Sequence, residues 1–259
     1  MKKLENRVAL VTGAGRGIGR AISQAFAAEN ATVAVTARSQ DELDSLVADI
    51  TAAGGRAVAF PADLSDRSTT RNLVGLVKEQ LGPVDILVNN AGIGSSSQPQ
   101  PVVDYSEDFW DLTMELNLTA PMILSKAVLP DMLGRNWGRI ITIASINGRV
   151  GSFHGAAYAA SKHGVMGLMK TIAMETAAHG VTANCICPGP VKTLMNEKRV
   201  EYDAERLGRN FEEYEASLTP IGGRLVPEDI APMAVFLASD EARAITGQGY
   251  NICGGLVMT

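Results

Sequence analysis

Val8-Ala9-Leu10-Val11-Thr12-Gly13-Ala14-Gly15-Arg16-Gly17-Ile18-Gly19 is the stretch that decides the fold. An apolar, β-branched run stops at a glycine cluster, and Ala21-Ile22-x-x-Ala25-Phe26 then repeats at helical spacing. A strand that turns on glycines into a helix is the opening unit of a layered α/β sheet. Glycine lets a backbone approach an anion, and the free N–H groups of a helix start face it. The spacing is T-G-x-x-x-G-x-G, because Ile18 stands where a G-x-G-x-x-G fingerprint has its last glycine. After a first strand, Gly13, Gly15, Gly17 and Gly19 read as a phosphate-binding turn, against the blander reading of a tight bend.

The same alternation continues outward from this stretch. Thr32 to Ala37 reads as a second strand, and Asp41 to Ile50 as an amphipathic helix ending at Gly54-Gly55. Arg56 to Ala62, Asp85 to Asn89, Arg139 to Ser145, Val181 to Cys187 and Tyr250 to Cys253 read as strands three to seven. Strands apolar on both faces, separated by helices, imply a parallel sheet covered on both sides. The expected fold is one doubly wound α/β domain over residues 1–259, with no internal repeat or linker. Ligands in such a fold bind beyond the carboxyl ends of the strands. Here those ends carry Thr12-Gly13, Ala37-Arg38, Asp63, Asn89 to Gly92, Ser145 and Pro188-Gly189.

A chain of 259 residues, 46% hydrophobic, buries a large core without disulfides or metal. Its 23 Lys and Arg against 28 Asp and Glu give a net charge of −5, the wrong sign for nucleic acid or anionic lipid. The three cysteines, Cys185, Cys187 and Cys253, have neither zinc nor redox spacing and read as small buried hydrophobes. No His, Cys and carboxylate cluster has ligand spacing, so no metal is expected. Met1-Lys2-Lys3 runs into polar Leu4 to Arg7, and the apolar runs are short for a membrane span. A soluble, cytoplasmic protein is expected.

The second strand's end addresses which dinucleotide would bind. An acidic residue there would bond a ribose 2′-hydroxyl and repel a 2′-phosphate. This chain has Ala37, Arg38 and Ser39 instead, with Arg16 on the glycine turn. Two guanidiniums with no facing carboxylate suit a 2′-phosphate, so NADP(H) is expected over NAD(H). The alternative is that Arg38 is a solvated helix-start residue.

Thirteen residues after Ser145 comes Tyr158, and four later Lys162, inside a helix expected over Ala156 to Thr176. Residues four apart share a helix face. A phenol titrating at about 10 becomes useful near neutrality only if a cation favours its anion, a shift of roughly 4 kcal/mol. Taken alone, a Tyr-x-x-x-Lys pair is commonly a plain surface pair. His154 lies four residues before Tyr158 and reads as a loop histidine or a substrate contact. Met166, Met169 and Met174 read as packing or subunit contact, and Trp110 and Trp137 as packing for long helices.

In combination, the glycine turn, Asn89-Asn90-Ala91-Gly92, Asn117, Ser145, Tyr158-x-x-x-Lys162 and Pro188-Gly189 resemble the short-chain dehydrogenase/reductase superfamily in its single-domain, Rossmann-like form. The resemblance implies that Tyr158 protonates a carbonyl while hydride arrives from a nicotinamide, with Lys162 depressing its pKa and holding the ribose. It implies that Ser145 steadies the carbonyl oxygen and that Asn117 anchors a water beside the lysine. Gly13, Gly15, Arg16, Gly17, Ile18, Gly19, Arg38 and Ser39 would hold the nucleotide, Asp63 and Leu64 its adenine. Asn89, Ala91, Gly92, Pro188, Gly189, Val191 and Thr193 would line the rest, Thr193 at the carboxamide.

Leu194 to Thr219 is polar and corresponds to a helical lid in that family, with Ile93 to Pro101 as the opposite wall. Arg199, Arg206 and Arg209 read either as contacts for an acidic group or as solvated faces. The chain looks most like 3-oxoacyl-thioester and polyketide ketoreductases and 3-hydroxybutyrate dehydrogenases, implying a small 3-oxoacyl-type carbonyl substrate. A sugar-alcohol or other secondary-alcohol dehydrogenase, NAD-dependent or not, a catalytically silent dinucleotide-binding regulator, and an epimerase or dehydratase of the extended branch are the alternatives. No segment here supplies the extended branch's larger substrate domain. The family also implies a homotetramer, through Ser106 to Leu133 and Ala156 to Ala178.

Overall fold

Val, Ile, Leu and Ala fill both faces of the strands, and the computed structural model, which describes residues 2–259, pairs all seven in one parallel sheet. The elements are β1 (Val8–Thr12), α1 (Gly17–Ala28), β2 (Thr32–Thr36), α2 (Gln40–Ala52), β3 (Arg56–Ala59), α3 (Arg67–Leu81) and β4 (Ile86–Asn89). Then follow α4 (Glu107–Met114), α5 (Ala120–Gly134), β5 (Gly138–Ile143), α6 (Ala156–Thr176) and β6 (Val181–Pro188). The chain ends with α7 (Leu194–Arg206), α8 (Phe211–Ala216), α9 (Pro227–Ala238) and β7 (Gly249–Ile252). Strand order is β3-β2-β1-β4-β5-β6-β7, so the winding reverses between β1 and β4. That reversal opens a crevice at the carboxyl ends, where doubly wound sheets take ligands.

Alternation along each strand divides the core into two layers. Ala9, Val11, Val33, Val35 and Ile141 face α1, α2 and α9; Leu10, Ala34, Leu87 and Ile140 face α3, α5 and α6. Strands three and five stop short of the expected Ala62 and Ser145. Phe60, Ala62 and Ala144 each still donate one backbone hydrogen bond to the neighbouring strand's exit, to Val35, Ala37 and Ile186. The chain there has left the ladder and entered the crevice rim.

Two expectations change. Ser106 to Leu133 is not one uniform helix: Glu115–Thr119 between α4 and α5 forms a π-helical turn. Trp137 does more than pack against the core layer that α1 and α9 fill. It lies between the guanidiniums of Arg7 and Arg139, 3.5 and 4.4 Å from its ring centre, and donates to Asp240 at 2.9 Å. Arg139 is buried there, its donors spent on the carbonyls of Gly138, Gly180 and Ser239 and on the Asp240 carboxylate, and burial lowers its pKa. Trp110, in α4, meets Tyr105 edge-on. Beyond α6, Ala177–His179 forms a 3-10 turn that Gly180 closes at φ +68°.

Glycine is demanded most sharply at Gly19, where a Cβ would run into the Gly13 carbonyl and stand 2.5 Å from Asn90 Nδ2. Gly19→Ala should therefore destabilise by about 1–3 kcal/mol, whereas Gly75→Ala, in open space on α3, should stabilise by up to about 1 kcal/mol. Thermal unfolding of both variants checks this, and equal melting temperatures would show that α1 can simply shift outward.

Candidate active site

One cleft of about 1350 Å³ crosses the carboxyl ends of the strands, from Arg16, Arg38 and Asp63 at one end to Ser145, Tyr158 and Arg199 at the other. Gly13, Gly15, Gly17, Ile18, Ser39, Leu64, Ala91, Gly92, Lys162, Pro188, Gly189, Val191 and Thr193 line it between. Asn89, Gly19 and Asn117 do not. Asn89 is turned into the sheet, its amide 3.4 Å from both the Ser125 and Thr142 hydroxyls. Gly19 supplies clearance under the turn, and the expectation that Asn89 lines the cleft is corrected accordingly.

Asn90, quoted in the motif but given no role above, is the residue at the rim. Its amide donates to the Thr12 carbonyl at 2.8 Å and the Gly13 carbonyl at 3.1 Å. The Thr12 hydroxyl returns the lock, accepting from the Asn90 and Ala91 N–H groups at 2.9 and 3.0 Å. These bonds clamp the glycine turn to the exit of β4. The dipeptide fits both readings equally well by residue type; only the pleat distinguishes which Asn faces inward.

At the far end, the electrostatic expectation needs correction. The guanidiniums of Arg16 and Arg38 do have facing carboxylates. Glu42, in the first turn of α2, pairs with Arg16 at 3.3 Å. Asp63 accepts from the Ser65 N–H and hydroxyl, which hold its carboxyl below the ordinary value, and the nearby Arg38 charge adds to that lowering. Ser39 caps α2 through the Glu42 N–H, which fixes where Glu42 starts. A carboxylate four residues beyond Arg38 is visible in the sequence, but a helix start must bend at Ser39 to bring it back over the turn.

At the other end, α6 carries Tyr158 and Lys162 on one face, with Nζ 5.6 Å from the phenol ring centre. Lys162 is buried and donates to the Ile143 carbonyl at 2.8 Å. Burial brings its ammonium down to about 8. Burial also pushes the Tyr158 phenol above its usual range, while the adjacent Ser145 hydroxyl pulls the other way. Desolvation, not the expected depression by Lys162, dominates the phenol in the protein itself. Ser145 is buried at the exit of β5, its hydroxyl accepting from the Asn147 N–H at 3.1 Å.

Asn117 sits in the π-helical turn, buried, accepting from the Ile93 N–H at 2.9 Å and donating to Ile93 and Ser161 at 3.0 and 3.1 Å. Its Oδ1 and the Lys162 Nζ lie 2.8 and 3.9 Å from the point where a Cβ on Gly92 would stand. Gly92 therefore leaves the space that the asparagine and the lysine share.

The Leu194–Thr219 segment contains α7 and α8, and α7 closes against the opposite wall. Ser96 donates to the Met195 carbonyl at 2.8 Å, while Arg199 donates to Ser95 at 3.2 Å and to the Phe153 carbonyl at 2.8 Å. Arg199 and Arg206 both pair with Asp203, and Arg209 lies over Tyr214, so all three are engaged within the segment. His154 has φ +53° and its Nδ1 is 2.5 Å from the Tyr202 hydroxyl, which ties α7 to the entrance of α6. Arg224, missed above, anchors the segment's base, pairing with Glu197 at 2.6 Å and Glu215 at 2.8 Å. Met166, Met169 and all three cysteines are buried, and Met174 is exposed. No helix among the described residues is long and apolar enough to cross a membrane.

Comparison with known proteins agrees with this geometry. A family model described as short chain dehydrogenase matches residues 7–204. The chain is 38% identical over 260 residues to D-beta-hydroxybutyrate dehydrogenase of Cupriavidus necator, covering 98% of this chain and 99% of that protein. It is 36% identical to the 3-oxoacyl-acyl-carrier-protein reductase FabG of Thermotoga maritima, covering 99% of this chain and all of that one (100%). Among solved structures, a variant of actinorhodin polyketide ketoreductase with NADPH superposes with a TM-score of 0.92 at 37% identity, over 99% of each chain. A gluconate 5-dehydrogenase candidate from Beutenbergia cavernae, with bound NADP, does so at 0.89 and 39% identity, over 98% of each. Glycine turn, Tyr158–Lys162 face and seven-stranded sheet agree with the matched family, and the chain belongs to the short-chain dehydrogenases.

Proposed function

We propose that this protein is an NADP(H)-dependent oxidoreductase interconverting a ketone and a secondary alcohol. The observation that carries the reading is the joint placement of Ser145, Tyr158 and Lys162 at one end of a cleft whose other end holds Arg16 and Arg38. The cleft fits a phosphorylated dinucleotide on its own terms. The buried Thr36 hydroxyl on its wall has no partner within the described residues, and neither does Asn196 Oδ1 beside Thr193. Gly13 and Gly17, both at positive φ, keep the wall free of side chains. Gly15, Ile18 and the start of α1 would take the pyrophosphate, Arg16, Arg38 and Ser39 the 2′-phosphate, and Asp63 and Leu64 the adenine. Ala91, Gly92, Pro188, Gly189, Val191 and Thr193 would flank the nicotinamide. When bound, NADPH supplies the hydride.

The chain's own residues handle the proton. A phenol held above its usual range by burial keeps its proton at neutral pH, so Tyr158 serves as the acid toward a carbonyl oxygen. Ser145 donates to the same oxygen and stabilises the charge that develops there. Lys162 sets a positive charge beside the phenolate left behind, and Asn117, whose Oδ1 sits in the space that Gly92 leaves, would anchor a water for proton replenishment. The relatives named above favour a small 3-oxoacyl-type carbonyl. A second reading, a polyhydroxylated secondary alcohol, is favoured by Ser95, Ser96, Ser97, Asn147 and Ser152 on the cleft wall. Residues 194–219 act as the substrate lid in either case.

A homo-oligomer, expected to be a tetramer, and a cytoplasmic location belong to the same reading. Leu112, Met122 and Met174 are exposed on α4, α5 and α6, and the three cysteines are free.

NADPH oxidation against acetoacetyl thioesters, diketones, ketoses and cyclic ketones tests the activity; Tyr158→Phe should abolish turnover while NADPH binding, followed by fluorescence titration, persists. A silent panel with tight NADPH binding would favour a regulator instead. Lys162 gives a pH signature in stability. Its native value of about 8 lies below the 10.5 of a free lysine, so between those values the unfolded chain holds the extra proton. Stability should therefore rise across that window in the unaltered protein relative to Lys162→Met, by up to about 3 kcal/mol; parallel unfolding curves would refute the buried charge. Sedimentation at micromolar concentration should show an assembly larger than the monomer, and a lone monomer would remove the oligomer.

A further inference from the structure

The adenosine end of the cleft carries as much negative charge as positive. Arg16 and Arg38 stand there with Glu42 and Asp63, and all four line the same rim. The two carboxylates are not equivalent. Asp63 is committed to its own loop, accepting from the Ser65 N–H at 3.0 Å and the Ser65 hydroxyl at 2.7 Å. Glu42 has Arg16 as its sole donor among the described residues, at 3.3 Å. It also lies directly over the glycine turn, since a Cβ on Gly15 would stand 2.5 Å from its Oε2. The pair is open to water, with side chains 63% and 36% exposed, so separating it costs little.

We propose that Glu42 is a specificity-determining residue for the nucleotide. Its carboxylate holds Arg16 and must release it when a 2′-phosphate arrives, and it then stands as a like charge beside that phosphate. A nucleotide with a free 2′-hydroxyl meets neither penalty, and the carboxylate is an acceptor for that hydroxyl. Glu42 thus narrows the preference for the phosphorylated over the unphosphorylated dinucleotide. The inference rests on the dinucleotide reading of the cleft and adds a residue that works against the two arginines. First-turn acids also stabilise helices generally, which would make Glu42 merely a helix-start charge. Asp41, its exposed neighbour in the same turn, separates the two roles.

Calorimetric titration of the full chain with NADP+ and with NAD+ provides the test, without turnover. Glu42→Gln should tighten NADP+ by about fivefold and leave NAD+ within about twofold, while Asp41→Asn leaves both unchanged. Unchanged NADP+ affinity in Glu42→Gln, equal tightening of both nucleotides, or the same gain in Asp41→Asn would overturn the assignment. Failure of the unaltered protein to bind either nucleotide overturns the dinucleotide reading and this inference with it. A clear NADP+ preference that Glu42→Gln does not widen overturns the inference alone.

Discussion

Everything in this molecule depends on how closely α1 approaches the gap between β1 and β4. Gly19 passes under the Gly13 carbonyl with no room for a Cβ, and the Asn90 amide fills the remaining space by bonding the Thr12 and Gly13 carbonyls. The close approach aims the first helix at the crevice where the sheet reverses. It also couples two chain segments almost eighty residues apart, so the turn's shape is a tertiary property. A looser contact would still give a doubly wound sheet, but the cleft along its edge would lose its floor.

The opposite end of the cleft is governed by desolvation. Burial acts on Tyr158 and Lys162 in opposite senses, raising the phenol and lowering the ammonium, and so pushes both toward their neutral forms. Each is met by a local contact, Ser145 for the phenol and the Ile143 carbonyl for the ammonium. Holding an ammonium with a value of about 8 charged at neutral pH costs the native state about 3 kcal/mol relative to a free lysine. A packing role would be served by any long apolar side chain at no such cost, which is why the charge points to chemistry.

Features written in local periodicity were legible in the sequence. The helix Ala156–Thr176 has the expected bounds, and the glycine turn and sheet class follow from runs of a few residues. What was missed depends on which way a side chain faces after the chain bends. Asn89 and Asn90 differ only in strand phase, and Glu42 meets Arg16 only because Ser39 caps α2 at that place. The polar half of Trp137's setting was missed for the same reason: Arg7 and Asp240 reach it from opposite ends of the chain. Arg224 has its meaning from Glu197 and Glu215, which adjoin it only once α7 and α8 have folded back.

The π-helical turn at Glu115–Thr119 accommodates one residue more than a regular helix of the same rise would hold. Each residue advances a helix by about 100°, so the extra one sets the phase between α4 and everything downstream. Asn117 faces Ser161 and Ile93 because of that phase. Removing a single residue there would restore an ordinary helix while rotating the asparagine off Gly92 and α5 off its core layer. The segment is therefore constrained in length more tightly than in composition, so insertions and deletions, more than substitutions, are what divergence of this chain has to avoid between α4 and α5.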